Sequence, residues 1–501
     1  MPAIRVLLAM AAARRIYILG LALVLVAVAC RSSEGSVTTP PPGGQIVAAP
    51  VTTTTTTTPV LAEDNSLVGT DIWLVDPLTL ERRGEPVRLP GYVGQAAALA
   101  DGRLVIRVAH SPPLLVVLDP TTMTTTSHEY PPVWGNIDFV TSNPTNEVVL
   151  IRGESPTLGS FSADSGTFED GIATSWAWQS QLLSGGQRLA SYNLGREDEL
   201  GSLLPPRVDV VDIETGDILV EFELPDVAHG SIPINPDLAA DPKFPYAFVH
   251  PGLAWDAEQE LIYVVHADGN SISVGDLATG SVETRRLGES PSLWATAFAW
   301  LIPPAEAKGA ANEAVRQAWL NGDGTRLIST GTQHDYLRNQ DNGQLTIISQ
   351  PLEVLIIDTT TLEVLERLDL GTTRGSVSPD GSRWILTGED SRQVVCDELC
   401  HGVVGGDPEF VVDDTIFAGL YIIDTGTLEI VAHLEPGSNY YTQSHHGHQL
   451  ITEHFGPDGD FYESIDVQSG EVTGRVGFGE QWYLANEAGV FELKVNSGSE
   501  P

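Results

Sequence analysis

The sequence carries a dense group of histidines near its C-terminal end, at His445, His446, His448 and His454. Along an extended strand, side chains at i and i+2 lie on the same side and about 6.5–7 Å apart, close enough to share one metal ion. Imidazole nitrogen is a common ligand of zinc and copper. The spacing therefore predicts a zinc or copper site if the segment is extended. The alternative is a polar loop that binds nothing.

A pair of cysteines offers a second kind of chemistry. Cys396 and Cys400 are separated by three residues, and His401 follows directly. In an oxidising compartment two such cysteines form a disulfide, and a ring this small shapes a loop rather than stabilising a whole domain. Alternatively, the two thiolates and the imidazole of His401 bind zinc or copper. Both readings stay open at this point.

Familiar catalytic motifs are missing from the sequence. It contains no Gly-x-Ser-x-Gly nucleophile turn, no His-Glu-x-x-His zinc motif and no phosphate-binding glycine loop. Pairs of carboxylates do occur, but they are expected by chance in a chain this acidic. We therefore assign no catalytic residue and expect a protein that binds rather than catalyses.

The charge of the chain restricts its partners. It has 67 acidic and 26 basic side chains among 501 residues, a formal net charge of -41. Phosphate backbones repel a surface of this sign, so a nucleic-acid role is disfavoured. We expect a monomer whose partner is a protein, a glycan or a small ligand.

A repeated unit in the sequence predicts the strands and turns that position these side chains. The unit is a short apolar run that ends in aspartate, a few small polar residues and a second apolar run. The aspartate carboxylate is placed to accept backbone N–H groups across a turn. Four of the seven intervals between these aspartates measure 42–48 residues, close to the ~40–45 residues of a four-stranded propeller blade. The eight aspartates are Asp76, Asp119, Asp164, Asp212, Asp276, Asp358, Asp424 and Asp466.

Two features of this repeat carry a family resemblance. The segment Ser378-Pro379-Asp380-Gly381 and the Ile-Ile-Asp-Thr copies ending at Thr359 and Thr425 resemble the YVTN/WD40-like β-propeller repeat. The resemblance implies an all-β propeller over residues 66–498, with eight four-stranded blades, or seven if the Asp164 copy is only a loop. Other exported propellers bind a metal or act as hydrolases or oxidoreductases, so these classes remain alternatives.

Two further elements are expected within the ring. The run Val490–Val495 is predicted to pair with Ile72–Val75 and so close the propeller with both ends of the domain in one blade. One short helical insertion is predicted from Pro303–Lys308 on to Val315–Ala318, where proline precedes residues with high helix propensity.

The N-terminal segment predicts where the protein acts. Residues 1–29 contain three arginines, no acid and a 14-residue apolar run from Ile16 to Ala29, too short to cross a membrane comfortably and typical of a secretory signal. The segment Ala27-Val28-Ala29-Cys30 resembles the bacterial lipobox, which implies a lipid on Cys30 and a membrane-anchored lipoprotein on the outer face of the cell envelope. An ordinary cleaved signal or an uncleaved anchor is the alternative.

Residues 30–65 link this anchor to the propeller. They contain a proline run and seven consecutive threonines, Thr52–Thr58, a composition that forms an extended tether rather than a core. The tether is either a glycosylated stalk or an unmodified linker. The sequence as a whole predicts an exported, non-enzymatic binding scaffold, with a zinc- or copper-binding propeller as the alternative and a propeller hydrolase or oxidoreductase as the third class.

Overall fold

The structure is a computed structural model. It describes residues 68–130, 137–142, 147–152, 157–173, 178–183, 186–194, 204–233, 246–287, 310–338, 345–396, 409–479 and 481–497. Every regular element within these ranges is a β-strand. Accordingly, no helix capable of crossing a membrane occurs in this part of the chain.

Five sheets are blades, each made of four consecutive antiparallel strands and numbered I to V in chain order. They are blade I, β3–β6 (Tyr92–Ala98, Leu104–Ala109, Leu114–Asp119, Thr124–Glu129); blade II, β7–β10 (Ile137–Ser142, Glu147–Arg152, Thr157–Ser162, Thr167–Ala173); blade III, β11–β14 (Gln179–Leu182, Arg188–Asn193, Arg207–Asp212, Ile218–Glu223); blade IV, β17–β20 (Gly252–Asp256, Leu261–Val265, Ser271–Asp276, Val282–Arg286); and blade V, β29–β32 (Asn439–His446, Gln449–Gly456, Gly459–Asp466, Glu471–Gly477).

Two more sheets complete the set. The closing sheet has the order β2-β1-β34-β33, and the long sheet has ten strands. The closing sheet consists of β1 (Val68–Val75), β2 (Arg82–Leu89), β33 (Gln481–Asn486) and β34 (Gly489–Ser497). The long sheet consists of β15 (Gly230–Pro233), β16 (Tyr246–His250), β21 (Ala310–Leu320), β22 (Arg326–Arg338), β23 (Leu345–Asp358), β24 (Val364–Leu368), β25 (Arg374–Val377), β26 (Arg383–Cys396), β27 (Glu409–Asp424) and β28 (Ile430–Leu434).

These sheets form a ring. Neighbouring sheets contact one another through their inner strands. These contacts join β3 to β7, β7 to β11, β17 to β21 and β29 to β33. Blades III and IV share one core, in which Tyr192 and Val208 pack with Ile262 and Val264. First strands that meet around an axis are the arrangement of a β-propeller. The predicted all-β propeller is therefore confirmed.

The predicted number of blades is wrong. Instead of eight, or seven, separate four-stranded blades, the described residues form five blades, the closing sheet and the long sheet. The reason lies in strand length, because β21, β22, β23, β26 and β27 have 11–16 residues. Their extra length lets β23 pair with β26, with Leu345 opposite Val395, so that neighbouring units merge into one sheet.

The predicted closure of the ring is confirmed. Strand β1 pairs with β34 in an antiparallel register that places Ile72 opposite Leu493 and Leu74 opposite Phe491. Ile72, Phe491 and Leu493 are buried in a core shared with strands of blade I. Residues far apart in the sequence thus hold the two ends of the domain in one sheet.

The predicted helical insertion is wrong where the structure describes it. Val315–Ala318 lies in strand β21 and pairs with β22, so that Val315 faces Thr332 and Ala318 faces Ser329. Arg316 and Ala318 are buried and Gln317 between them is exposed, the period of two that a strand requires. Tertiary pairing therefore overrides the helix propensity of these residues. Pro303–Lys308 lies outside the described residues.

The aspartate turns have the structure that the repeat predicts. In seven of the eight, the strand-ending aspartate accepts a backbone N–H from the second residue after it. Asp358 Oδ1, for example, accepts from Thr360 and Thr361 at 3.0 and 2.7 Å. At the third turn Ser162 ends the strand, and Asp164 lies on the turn, where it forms an ion pair with Arg103.

The same turns share one backbone conformation. The fourth residue after each strand end has a left-handed φ, between 53° and 76°. Glycine adopts this region without a steric cost, and four of the eight positions are glycine. The residues are Leu80, Met123, Gly166, Gly216, Gly280, Leu362, Leu428 and Gly470.

Antiparallel strand order gives the ring two distinct faces. The aspartate turns lie at one face, here called the marker face, together with the first turn of each blade. Arg326 at such a first turn donates to the carbonyl of Thr425 in an aspartate turn at 2.6 Å. The opposite face carries the turns between second and third strands and the connections between sheets. Because β1 runs toward Asp76, its first residue, Val68, lies at this opposite face.

The long sheet extends beyond the ring at that opposite face. We call this extension the platform; it comprises residues 230–233, 246–250, 310–315, 331–338, 345–351, 389–396 and 409–417. Bulges separate the platform from the ring between Ser329 and Gly331 and between Thr387 and Glu389. A Cβ at Gly331 would lie 2.0 Å from the carbonyl oxygen of Val315, so the bend requires glycine there.

Candidate functional site

Three of the predicted metal-binding histidines lie at a hairpin turn on the marker face. Strands β29 and β30 are joined by Gly447-His448, with His446 opposite Gln449. Gly447 has a φ of 56°, which suits the first position of a two-residue hairpin turn. The segment is therefore not extended throughout, as the predicted metal site required, because Gly447 begins a turn.

The three side chains diverge from this turn. His445 is largely buried, its Nε2 lies 3.2 Å from Ser376 Oγ, and burial lowers its pKa to about 4. His446 Nδ1 lies 2.8 Å from the carbonyl oxygen of Asn486. His448 is exposed, and its Nδ1 lies 3.8 Å from Asp380 Oδ2. Each ring thus has a different neighbour.

The fourth histidine lies elsewhere in the hairpin. His454 pairs with Tyr440 near the platform face, five residues along β30 from Gln449, a distance of about 17 Å. Across the described ranges, no group of three or more His, Cys, Asp and Glu side chains is arranged to hold a metal ion. Zinc or copper binding at these histidines stays a prediction from the sequence, and the separate neighbours of the four rings argue against it.

Cys396 lies at the other face of the ring from the histidine turn. Cys396 ends β26 in the platform, opposite Glu409. Cys400 and His401 lie outside the described residues, as does Cys30. The disulfide between Cys396 and Cys400 and the lipid on Cys30 therefore stay predictions. Cys396 and the turn at Gly447 lie at opposite faces of the ring.

A buried charge cluster surrounds His454. The His454 ring and the Glu463 side chain are fully buried. Glu435, which follows β28 of the long sheet, lies with Oε2 2.8 Å from His454 Nε2. Arg475 of blade V lies 2.8 Å from Glu435 and 2.5 Å from Glu463. One arginine thus pairs with carboxylates from two adjoining sheets.

Burial controls the chemistry of this cluster. It raises the pKa of Glu463, while the neighbouring His454 and Arg475 act in the opposite direction. Tyr440 lies with its ring 5.0 Å from that of His454, and burial raises the pKa of its hydroxyl. The Arg475 guanidinium stands 4.8 Å over the Phe461 ring. The side chains of Glu435, His454, Glu463 and Arg475 thus connect the long sheet to blade V, and we call this cluster the latch.

A second cluster combines aromatic rings with two histidines at the platform face. His229 Nε2 lies 2.7 Å from His250 Nδ1, and His229 Nδ1 lies 3.1 Å from the Tyr192 hydroxyl. Trp178 stacks on His250, with ring centroids 5.0 Å apart and planes at 22°, and meets His229 edge-on at 5.2 Å. Phe248 lies 5.4 Å from His250.

Three elements bring these rings together. Trp178 directly precedes β11, the first strand of blade III, and its backbone N–H donates to the backbone carbonyl of Tyr192 at 2.8 Å. His229 precedes β15 and His250 ends β16, which pair as a hairpin at the platform edge. Burial lowers the pKa of His229 to about 3 and lowers that of His250. Both imidazoles are therefore neutral at pH 7.

Sequence patterns alone do not identify this cluster. In the sequence His250 is an isolated histidine and Trp178 is one of ten tryptophans, and no motif marks His229 or Tyr192. The contacts join residues 178, 192, 229 and 250, and they depend on the pairing of β15 with β16. No local motif marks that pairing, since twelve residues separate the two strands.

Comparisons with known proteins add little to this geometry. No family model matches the sequence, and no curated protein matches it. Among solved structures, the chain is similar to a Myceliophteria thermophila Cps50 (Swd1) β-propeller domain at 11% identity, with a TM-score of 0.31, covering 80% of this chain and 96% of that one.

Two other solved structures are similar to a comparable extent. A eukaryotic initiation factor gives a TM-score of 0.40 at 10% identity, covering 82% of this chain and 96% of that one. An oligogalacturonate lyase in complex with manganese gives 0.37 at 13% identity, covering 80% and 88%. At these TM-scores we infer nothing from the likeness, and the propeller assignment rests on the order of the sheets.

Proposed function

We propose that this protein is an exported, lipid-anchored β-propeller that binds a partner through its platform face and catalyses no reaction. The observation that carries the proposal is the platform itself. Five strands of 11–16 residues continue past the ring, by about 20–30 Å. A rigid extension on one face of a closed ring is built to present a surface.

The platform face carries exposed apolar side chains that a partner could contact. Ile416 on β27 is 65% exposed, and Tyr92 at the start of β3 is 50% exposed. Trp178 and Leu204 are also exposed at this face. Six other exposed apolar side chains lie on or directly after aspartate turns, toward the marker face, so exposure alone does not select one face: Leu78, Ile218, Leu219, Leu365, Ile430 and Val431. We infer that the partner contacts apolar groups here, and the strong negative charge argues against a polyanion.

The proposed anchor bears on where the partner is found. If Cys30 carries a lipid, the tether of residues 31–65 leads to Val68, which lies at the platform face. A flexible tether of this length has a typical end-to-end distance of about 35 Å. If the chain is anchored in this way, its partner is a component of the envelope.

A matched pair of variants tests the proposal. Ile416→Glu and Ile430→Glu each place a charge on an exposed position of neighbouring strands in the same sheet, β27 and β28. Ile416 lies in the platform, whereas Ile430 follows an aspartate turn at the marker face. We expect Ile416→Glu to reduce recovery of bound envelope components and Ile430→Glu to leave it unchanged. Equal recovery with both variants would contradict the proposal.

A further inference from the structure

Strand β27 forms one edge of the platform sheet. It pairs with β26 along its whole length, whereas β28 pairs with it only over residues 420–423. Just beyond β28, the carbonyl of Phe417 accepts the N–H of Gly437 at 3.1 Å. No strand in the described ranges pairs with the outer side of residues 409–416.

We propose that this edge of β27 binds an extended segment of a cationic partner as an added β-strand. The proposal rests on the proposed function, because it names how a partner docks on the platform and the chemistry of that partner. An edge strand is a template for a further strand, and main-chain hydrogen bonds then supply much of the affinity.

Backbone groups at this edge point away from β26. Along a strand in an antiparallel pair, the N–H and C=O of one residue point to the same side, and the side alternates from residue to residue. The Phe417 carbonyl points to the outer side, toward Gly437. The N–H and C=O of Thr415, two residues earlier, therefore point to that side as well.

Exposed side chains beside this edge select the chemistry of the partner. Ile416 is 65% exposed. Asp390 lies opposite it on β26 and is also exposed. An apolar residue opposite Ile416 on the added strand covers its side chain, and basic residues on the same face of that strand meet a negative potential.

Charge disfavours a second copy of this chain as the occupant. The part of β27 beyond β28 contains Glu409, Asp413 and Asp414, and the whole chain has a net charge of -41. Antiparallel pairing of two identical edges brings these acids together, and like charges on paired strands are destabilising. A cationic segment of another protein meets the opposite situation.

The other edge of the platform is less suited to strand addition. It is formed by β15, which consists only of Gly230–Pro233. Proline has no N–H to donate to a neighbouring strand, and short strands that contain proline are a common protection of sheet edges. The edge of β27 is longer, and its sequence from Glu409 to Phe417 contains no proline.

The test uses a fluorescein-labelled decapeptide, Lys-Thr-Val-Thr-Lys-Thr-Val-Thr-Lys-Thr, and fluorescence anisotropy with the full folded chain. When extended, the peptide carries lysine and valine on one face and threonine on the other. We expect saturable binding at about 0.15 M salt. The same peptide with glutamate in place of lysine should not bind, nor should the lysine peptide with every backbone N–H methylated, because it has no N–H to donate.

Two variants at one position separate the backbone from the side chain. Thr415→Pro removes an outward N–H and leaves Ile416 in place, and proline is tolerated at a strand edge. We expect it to weaken binding of the lysine peptide about tenfold or more, because a carbonyl of the peptide loses its donor. Thr415→Val is the matched control, since it keeps the N–H, and its affinity should equal that of wild type.

A second measurement does not depend on the folding of Thr415→Pro. In wild type, the lysine peptide should slow amide hydrogen exchange within residues 409–417, because the added strand protects the outward N–H groups. The N-methylated peptide should leave that exchange unchanged.

Four results would overturn the proposal: no binding of the lysine peptide at millimolar concentration, equal binding of the N-methylated peptide, equal affinity of wild type and folded Thr415→Pro, or unchanged exchange in residues 409–417. Failure of the proposed function is distinguishable from these. If Ile416→Glu still reduces recovery of envelope components, the platform binds its partner in another way, and only strand addition is wrong. If that effect is also absent, both proposals fail.

Discussion

Arg475 is the residue whose removal tests the latch between the long sheet and blade V most sharply. Its guanidinium lies 2.5 Å from Glu463, which is fully buried, and 2.8 Å from Glu435 of the adjoining sheet. Arg475→Met keeps the length and the apolar stem of the side chain but removes the charge. Glu463 then keeps the His454 ring as a polar neighbour, at 3.6 Å.

The cost follows from the burial of Glu463. Removing one partner of a buried ion pair costs about 3–5 kcal/mol, because the other charge is left uncompensated. The Arg475 side chain is 36% exposed, so water already screens part of its charge. We therefore take the lower end and expect the free energy of unfolding to fall by about 3 kcal/mol at neutral pH.

The fall in the free energy of unfolding caused by Arg475→Met should become larger as pH rises. Burial holds the pKa of Glu463 above its ordinary value in the folded state. Its contribution to stability is therefore present below the ordinary pKa and is lost as pH rises through the raised folded value. Without Arg475 that folded value rises further, so the difference between wild type and Arg475→Met grows with pH and shrinks in acid.

Urea denaturation at about pH 5 and about pH 7.5 measures this difference. The double variant Arg475→Met/Glu463→Gln should recover most of the loss at the higher pH, since no buried charge is then left unpaired. Arg285→Met is the control, because Arg285 and Glu283 are both about half exposed and such pairs contribute within about 1 kcal/mol. If Arg475→Met costs no more than the control, or Glu463→Gln gives no rescue, the reasoning is refuted.

Three further predictions concern the turns, the platform and the metals. Asp424→Ala removes the acceptor of the Gly426 and Thr427 N–H groups and the partner of Arg383, so we expect the free energy of unfolding, measured by urea denaturation, to fall by about 2 kcal/mol. Because the hydrogen bond from Thr427 lowers the pKa of Asp424, this difference from wild type should vanish as pH falls through the lowered pKa. A difference that does not depend on pH would contradict the prediction. Gly331→Ala should lower the free energy of unfolding by about 1–3 kcal/mol, since its Cβ meets the Val315 carbonyl, whereas a Cβ at Gly477 meets nothing within 4 Å and Gly477→Ala should be silent in the same assay. Zinc or copper should leave the Tm unchanged, because the four histidines have separate neighbours; a rise in Tm that His446→Ala removes would show that they converge on a metal after all.

The local parts of the fold could be predicted from the sequence. An aspartate that accepts N–H groups two and three residues ahead is a contact within one turn, so the residue order carries it, as at Asp358. The pairing of β34 with β1 was also predictable, because both are strongly apolar runs at the ends of a repeat array. The turns are thus predictable from adjacent residues, and the closure from the position of two short strand-forming runs at the ends of the array.

The platform and the cluster of rings around Trp178 and His250 could not be predicted in this way. Whether β21 continues past the ring depends on its pairing with β16 and β22, and its alanine-rich start favours a helix when read alone. The position of His250 beside His229 depends on a hairpin whose strands are separated by twelve residues. Such contacts are decided by tertiary packing, for which single-sequence periodicity holds no signal.

The central claim, that the platform face is the binding face, is tested most directly by site-specific photo-crosslinking in cells. A crosslinking residue at Ile416 in the platform is compared with one at Ile430, which is also exposed but lies toward the marker face. The account predicts a discrete crosslinked product at Ile416 that Ile430 does not give. The same product at Ile430, or a product at Ile430 alone, would contradict it.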